Sequence, residues 1–152
     1  MTGYDKGALQ NRLGLFNELQ RAAREITLPL FFEGPDAVNK AENGYDPVTQ
    51  ADMDAERRLR ELISEAFPED TIKGEEFDDI PGANDWSWTL DPIDGTRGFV
   101  AGVPVWSTLV AVSFQDTPLL GLIDLPALNT SFWGTPGKTW REGTHGGVTT
   151  LT

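Results

Sequence analysis

Between Leu9 and Leu30 the apolar residues fall at Leu9, Leu13, Phe16, Leu19, Ala23, Ile26 and Leu30. Those steps line one face of a helix, which Pro29 and then Gly34-Pro35 bring to an end. A polar loop from Asp36 to Asp46 follows. Thr49 is placed as the N-cap of a second helix, with Asp52 as an acidic variant of the capping box. Met53, Leu59, Leu62, Ile63 and Ala66 form the buried stripe of that helix, and Pro68 closes it.

Beyond this point the periodicity shortens. Thr71 to Lys73 is a brief strand leading into Gly74-Glu75-Glu76. The acidic stretch from Phe77 to Asp85 contains Pro81-Gly82 and is expected to be an exposed, mobile loop. Trp86 to Leu90 is a strand that delivers the Asp91 segment, and Val105 to Phe114 is another. A turn at Gln115-Asp116-Thr117-Pro118 passes to a strand over Leu119 to Leu125. Ser131 to Gly134 and Lys138 to Arg141 suggest two more around Thr135-Pro136-Gly137. Helices first and an antiparallel meander afterwards predict an α+β layered fold. The tail from Gly143 to Thr152 shows no closing helix or packed strand, so the chain reads as interrupted.

Composition narrows what such a fold can do. The 152 residues suit one domain with a real core. No apolar run approaches the ~20 residues of a membrane span, and no secretory signal is visible. The absence of cysteine removes disulfides and thiolate metal sites and leans towards the cytoplasm. One histidine, His145, makes a His-rich zinc site improbable. The net charge of -12 argues against nucleic acid or an anionic membrane as partner. It would also repel an anionic substrate, unless the carboxylates hold divalent cations.

Three acidic clusters lie where elements meet: Asp46 with Asp52, Glu75 with Glu76, and Asp91 with Asp94. Magnesium takes oxygen ligands and keeps several waters, so a few carboxylates suffice. Two such ions ~3.5–4 Å apart can clamp the attacking and leaving oxygens of a phosphoryl transfer. Asp91 is placed to bridge them, and the carbonyl of Ile93 offers a further oxygen. Gly95 permits a tight turn, and the amides of Gly95 and Thr96 can open a phosphate-binding helix. Each piece alone has a plainer reading. Asp94-Gly95 is a turn dipeptide, Glu75-Glu76 a solvated pair, and Thr49 with Asp52 a cap.

Together, and in this order, Lys40, Asp46-Pro47-Val48-Thr49-x-x-Asp52, Gly74-Glu75-Glu76 and Trp88-Thr89-Leu90-Asp91-Pro92-Ile93-Asp94-Gly95-Thr96 resemble the inositol monophosphatase family. The resemblance runs from about Leu9 to Trp140. It implies a layered αβαβα sandwich, two or three Mg2+ per site, a small phosphorylated alcohol as substrate and a homodimer. Glu75, Asp91 and the Ile93 carbonyl would hold the first magnesium, and Asp91 and Asp94 the second. Thr96 and Asp52 would position and activate water, supported by Glu76. Gly95 and Thr96 would bind phosphate, and the water would attack in line without a phosphoenzyme. Lys40 is read either as a cation of a loop near the site or as a solvated lysine.

Arg97-Gly98-Phe99-Val100-Ala101-Gly102-Val103-Pro104-Val105-Trp106 and Gly121-Leu122-Ile123-Asp124-x-Pro126 resemble the histidinol-phosphatase branch. Histidinol phosphate is therefore preferred to inositol phosphate, although Arg97 also suits an ion pair and Trp106 a core. Family members are longer, and their C-terminal part supplies another Asp ligand. No Asp follows Asp124, so residues 1–152 are expected to be the N-terminal portion of such a domain. A non-catalytic relic is the rival of a different class. Haloacid dehalogenase phosphatases are a second rival, disfavoured because Asp91 and Asp94 are three apart rather than two.

Overall fold

A computed structural model describes residues 3–34, 47–143 and 147–151. The first apolar stripe, expected to be a single helix, folds as α1 (Lys6–Leu13) and α2 (Phe16–Glu33). Asp5 caps α1 by accepting the Gly7 and Ala8 amides at 2.6 and 3.3 Å, and the chain steps aside at Gly14-Leu15. Leu9, Phe16, Leu19 and Ala23 still share one buried face across the break. Pro29 does not end α2, which runs four residues further before Gly34, at φ 84°, stops it. Phe31 explains the persistence: it packs against Phe99 and Trp106 with ring centroids 5.5 and 5.6 Å away. That contact offsets the helix hydrogen bond which proline cannot make.

The next helix, α3, spans Pro47–Ala66. It begins before Thr49, at a proline whose missing N–H is no loss in a first turn. Thr49 is therefore not the N-cap, and Asp52 lies in the second turn, buried, rather than in a capping box.

One seven-stranded sheet follows: β1 (Thr71–Gly74), β2 (Trp86–Asp94), β3 (Ser107–Phe114), β4 (Thr117–Leu125), β5 (Thr130–Thr135), β6 (Lys138–Gly143) and β7 (Gly147–Leu151). Spatial order equals chain order. Only the β1–β2 pair is parallel. The tail, expected to hold no closing helix or packed strand, supplies β7, an exposed edge strand paired to β6 and without a buried residue. The short helix α4 (Thr96–Val100) lies between β2 and β3.

Alternation puts Trp86, Trp88, Leu90, Val110, Val112, Leu120, Leu122 and Trp133 on the helix side of the sheet. There they meet Phe16, Leu19, Leu59 and Ile63 in one core. The α+β class is as expected, with helices layered on one sheet face. Two ion pairs with buried carboxylates tie the layers. Asp70 accepts Arg12 at 2.8 and 2.7 Å, Trp88 Nε1 at 2.8 Å and Asn84 at 2.8 Å. Arg24 forks onto Asp124 at 2.8 and 2.7 Å, fixing α2 to β4.

The loop between β1 and β2 is exposed, as expected, and part of its backbone is hydrogen-bonded. Ile72 and Ile80 exchange backbone hydrogen bonds of 2.9 and 2.8 Å, and the Ala83 amide donates to the Glu69 carbonyl at 2.8 Å.

Candidate active site

The site is assembled by the parallel pairing of β1 with β2. Gly74 is in register with Leu90, so the residues that follow, Glu75 and Asp91, come side by side. Glu75 lies just past the end of β1. Asp91 lies within β2, on the sheet face opposite the helices, as alternation from Trp88 and Leu90 requires.

Both Asp91 and Asp94 belong to β2 rather than following it. Between them the register against β3 slips: Asp91 faces Leu109, whereas Asp94 faces Ser107. This β-bulge re-aims the strand. Pro92, which has no amide for the ladder, sits in it, and its carbonyl accepts Thr108 Oγ1 at 2.8 Å. Ile93 is driven inward, 2% exposed, against Val48, Ala51, Phe99 and Trp106. Asp94 is released to solvent at the strand end.

Gly95 then takes the left-handed conformation (φ 84°, ψ 45°), and its carbonyl accepts the Phe99 amide at 3.1 Å to open α4. A side chain at this φ would be strained. Thr96 is the exposed first residue of that helix. Arg97, also exposed, forms no ion pair among the described residues and stands next to the acidic segment. Lys40, Asp46 and His145 lie outside the described residues.

Asp52 reaches the same place from α3. Burial, then the charges of Glu76 and Asp91, push its carboxyl up to about 7, against the opposing effect of the Ile93 backbone. Burial raises Asp91 to about 6, helped by the charges of Glu75, Asp94, Glu76 and Glu56. Glu76 is also raised, by burial and by Glu56 and Glu75, while its hydrogen bond with Asp52 opposes the shift. Six acidic side chains, from α3, β2 and the segment after β1, thus perturb one another.

Among the described residues no three of them form a closed set at metal-ligating separations. The cluster nevertheless suits a hard cation. Asp52 Oδ1 and Asp91 Oδ1 are buried without a hydrogen-bond partner among the described residues, and an oxygen-seeking divalent ion would engage both and offset the repulsion. An open groove of about 580 Å³ on the uncovered sheet face begins at Glu75 and Asp91 and continues past Thr89, Ala111 and Ile123.

Residues 9–144 match the model of the inositol monophosphatase family. This chain belongs to that family. Among similar proteins of the family are histidinol-phosphatases of Chlorobaculum parvum, 40% identical over 83% of this chain and 48% of that protein, and of Streptomyces coelicolor, 38% identical over 80% and 46%. An inositol monophosphatase from Zymomonas mobilis superposes with a TM-score of 0.73 at 32% identity, over 92% of this chain and 53% of that one. The chain therefore spans about half the length of these relatives.

Within this family member the fold brings Asp52, Glu75, Glu76, Asp91 and Asp94 into one neighbourhood, with Ile93 as its buried anchor. Sequence reasoning passes over Glu56, whose carboxylate accepts the Glu76 amide at 3.1 Å. Its spacing carries a signal: Asp52, Glu56 and Arg60 recur every fourth residue on the helix face that also holds Ala55, Leu59 and Ile63.

Proposed function

We propose that the protein is a magnesium-dependent phosphomonoesterase acting on a small phosphorylated alcohol, with histidinol phosphate as the substrate. The observation that carries this reading is the β1–β2 register, which sets Glu75 beside an Asp91 with an unpartnered buried oxygen. Residues 1–152 are taken as the α+β portion of a larger phosphatase domain, in keeping with relatives about twice as long.

Glu75, Asp91 and the Ile93 carbonyl would hold one magnesium, and Asp91 with Asp94 a second. Bound magnesium supplies Lewis acidity to the phosphoryl oxygens and makes water a nucleophile near neutral pH. The chain's own residues do the rest. Asp52, buried on α3 beside this cluster, would take up the proton of the attacking water as general base. Its hydrogen bond to Glu76 and the Thr96 hydroxyl would orient the attacking water. The Gly95 and Thr96 amides, exposed at the start of α4, would receive the phosphate, and Arg97 is free to meet its charge.

The histidinol-phosphatase relatives and the Arg97 to Trp106 segment favour histidinol phosphate. Inositol phosphate is the second reading, favoured by the Zymomonas mobilis structure. A side-by-side assay of phosphate release from the two esters, with Mg2+ present, decides between them. Faster release from histidinol phosphate is expected, and faster release from inositol 1-phosphate would reverse the assignment.

A further inference from the structure

On the α3 face turned to the β1–β2 loop, Glu56 is fully buried and Arg60 is 7% exposed. Arg60 Nε donates to Glu56 Oε2 at 2.9 Å. The other end of the guanidinium does not stay on the helix. It donates to the Asp78 and Phe77 carbonyls at 2.9 and 3.0 Å. Glu56 Oε1 accepts the Glu76 amide at 3.1 Å. Gly74 completes the fit, because the Glu56 carboxylate lies where a Cβ on residue 74 would stand.

A buried ion pair is a poor way to add stability, since an apolar pair of similar volume commonly does as well. What this pair does that an apolar pair cannot is grip backbone atoms. The bonded amide belongs to the peptide joining Glu75 to Glu76, so its orientation determines where both side chains point. Rotation of that peptide would swing Glu75 away from Asp91.

We propose that Glu56 and Arg60 are a positioning pair that holds the segment from Gly74 to Asp78 against α3 and so sets the divalent-cation affinity of the Glu75–Asp91 site. The inference rests on the metal-centre reading given above. Neither residue touches the cation or the substrate; both act through the backbone that carries Glu75 and Glu76. Groups that orient ligands in this way typically contribute 10–100-fold to metal affinity.

The test is titration of the metal-free protein with Mn2+ alone, following free manganese by its electron paramagnetic resonance signal. Glu56→Gln keeps the shape and an oxygen for the Glu76 amide but removes the charge that Arg60 needs. Arg60→Lys keeps a cation on Glu56 but cannot span two carbonyls. Both variants, folded by circular dichroism, are expected to bind Mn2+ about 10-fold or more weakly. Arg58→Gln, on the exposed face beside Glu61, is expected to match wild type. Should Glu56→Gln fail to fold, Arg60→Lys carries the comparison. Wild-type Mn2+ affinity in a folded Glu56→Gln or Arg60→Lys, with only the melting temperature lowered, overturns the proposal. A wild-type protein that binds no Mn2+ overturns the metal-centre reading itself, and the two failures are thereby distinct.

Discussion

Asp52 and Asp91 bind their protons more tightly in the folded chain than in the unfolded one, because burial and neighbouring carboxylates disfavour their charged forms. Between the ordinary carboxylate pKa near 3.8 and the raised values of about 7 and about 6, the folded state holds the extra protons. Stability of the metal-free protein must then fall as pH rises through that window. Thermal melts in EDTA are expected to show a lower midpoint at pH 8 than at pH 5.5, with the difference reduced when Mg2+ is added. A midpoint that rises with pH in EDTA would contradict the assigned repulsion. At this scale the sequence is legible where chemistry coincides with backbone position. Glu75, Asp91 and Asp94 can be picked out because strand ends bring them together. Asp52 is disguised, since three residues after a threonine an acidic group resembles a cap. Glu56 is disguised more deeply: a charged residue in a helix normally faces water, and the one signal against that is its place on the face of Ala55, Leu59 and Ile63.

The elements show why part of the architecture escapes sequence reading. A gap of two residues between α1 and α2 leaves the apolar spacing almost undisturbed, so periodicity alone does not register the break at Gly14. Pro29 is tolerated because Phe31 has aromatic partners distant in the chain. The bulge in β2 is partly legible, as Pro92 cannot serve a continuous ladder, but its direction depends on the pairing with Ser107 and Leu109. The junction of β2 with α4 depends on Gly95 at φ 84°. Gly95→Ala is expected to destabilise by ~1–2 kcal/mol, the penalty of a left-handed L-residue. It should also slow phosphate release, since the α4 amides shift with it. Urea unfolding with an unchanged m-value checks the first part, and wild-type stability would contradict the strained geometry.

At the scale of the molecule, the helices-then-meander order foreshadows the α+β class, and the sheet realises it with strands in simple sequence order. The exposed tail is the part least accessible from sequence: β7 has no buried position, so no hydrophobic alternation announces it. Among the described residues no helix is long and apolar enough to cross a membrane. The net charge of -12 would oppose an anionic ester in the absence of cations, so the proposed activity stands or falls with its dependence on metal. The most direct measurement is phosphate release from histidinol phosphate by wild type and Asp91→Asn, each with Mg2+ and again after excess EDTA. Turnover is expected only for wild type with Mg2+, with a loss of at least about 100-fold in Asp91→Asn and its circular dichroism unchanged. Turnover that survives EDTA, or a folded Asp91→Asn as fast as wild type, would contradict the proposed metal dependence.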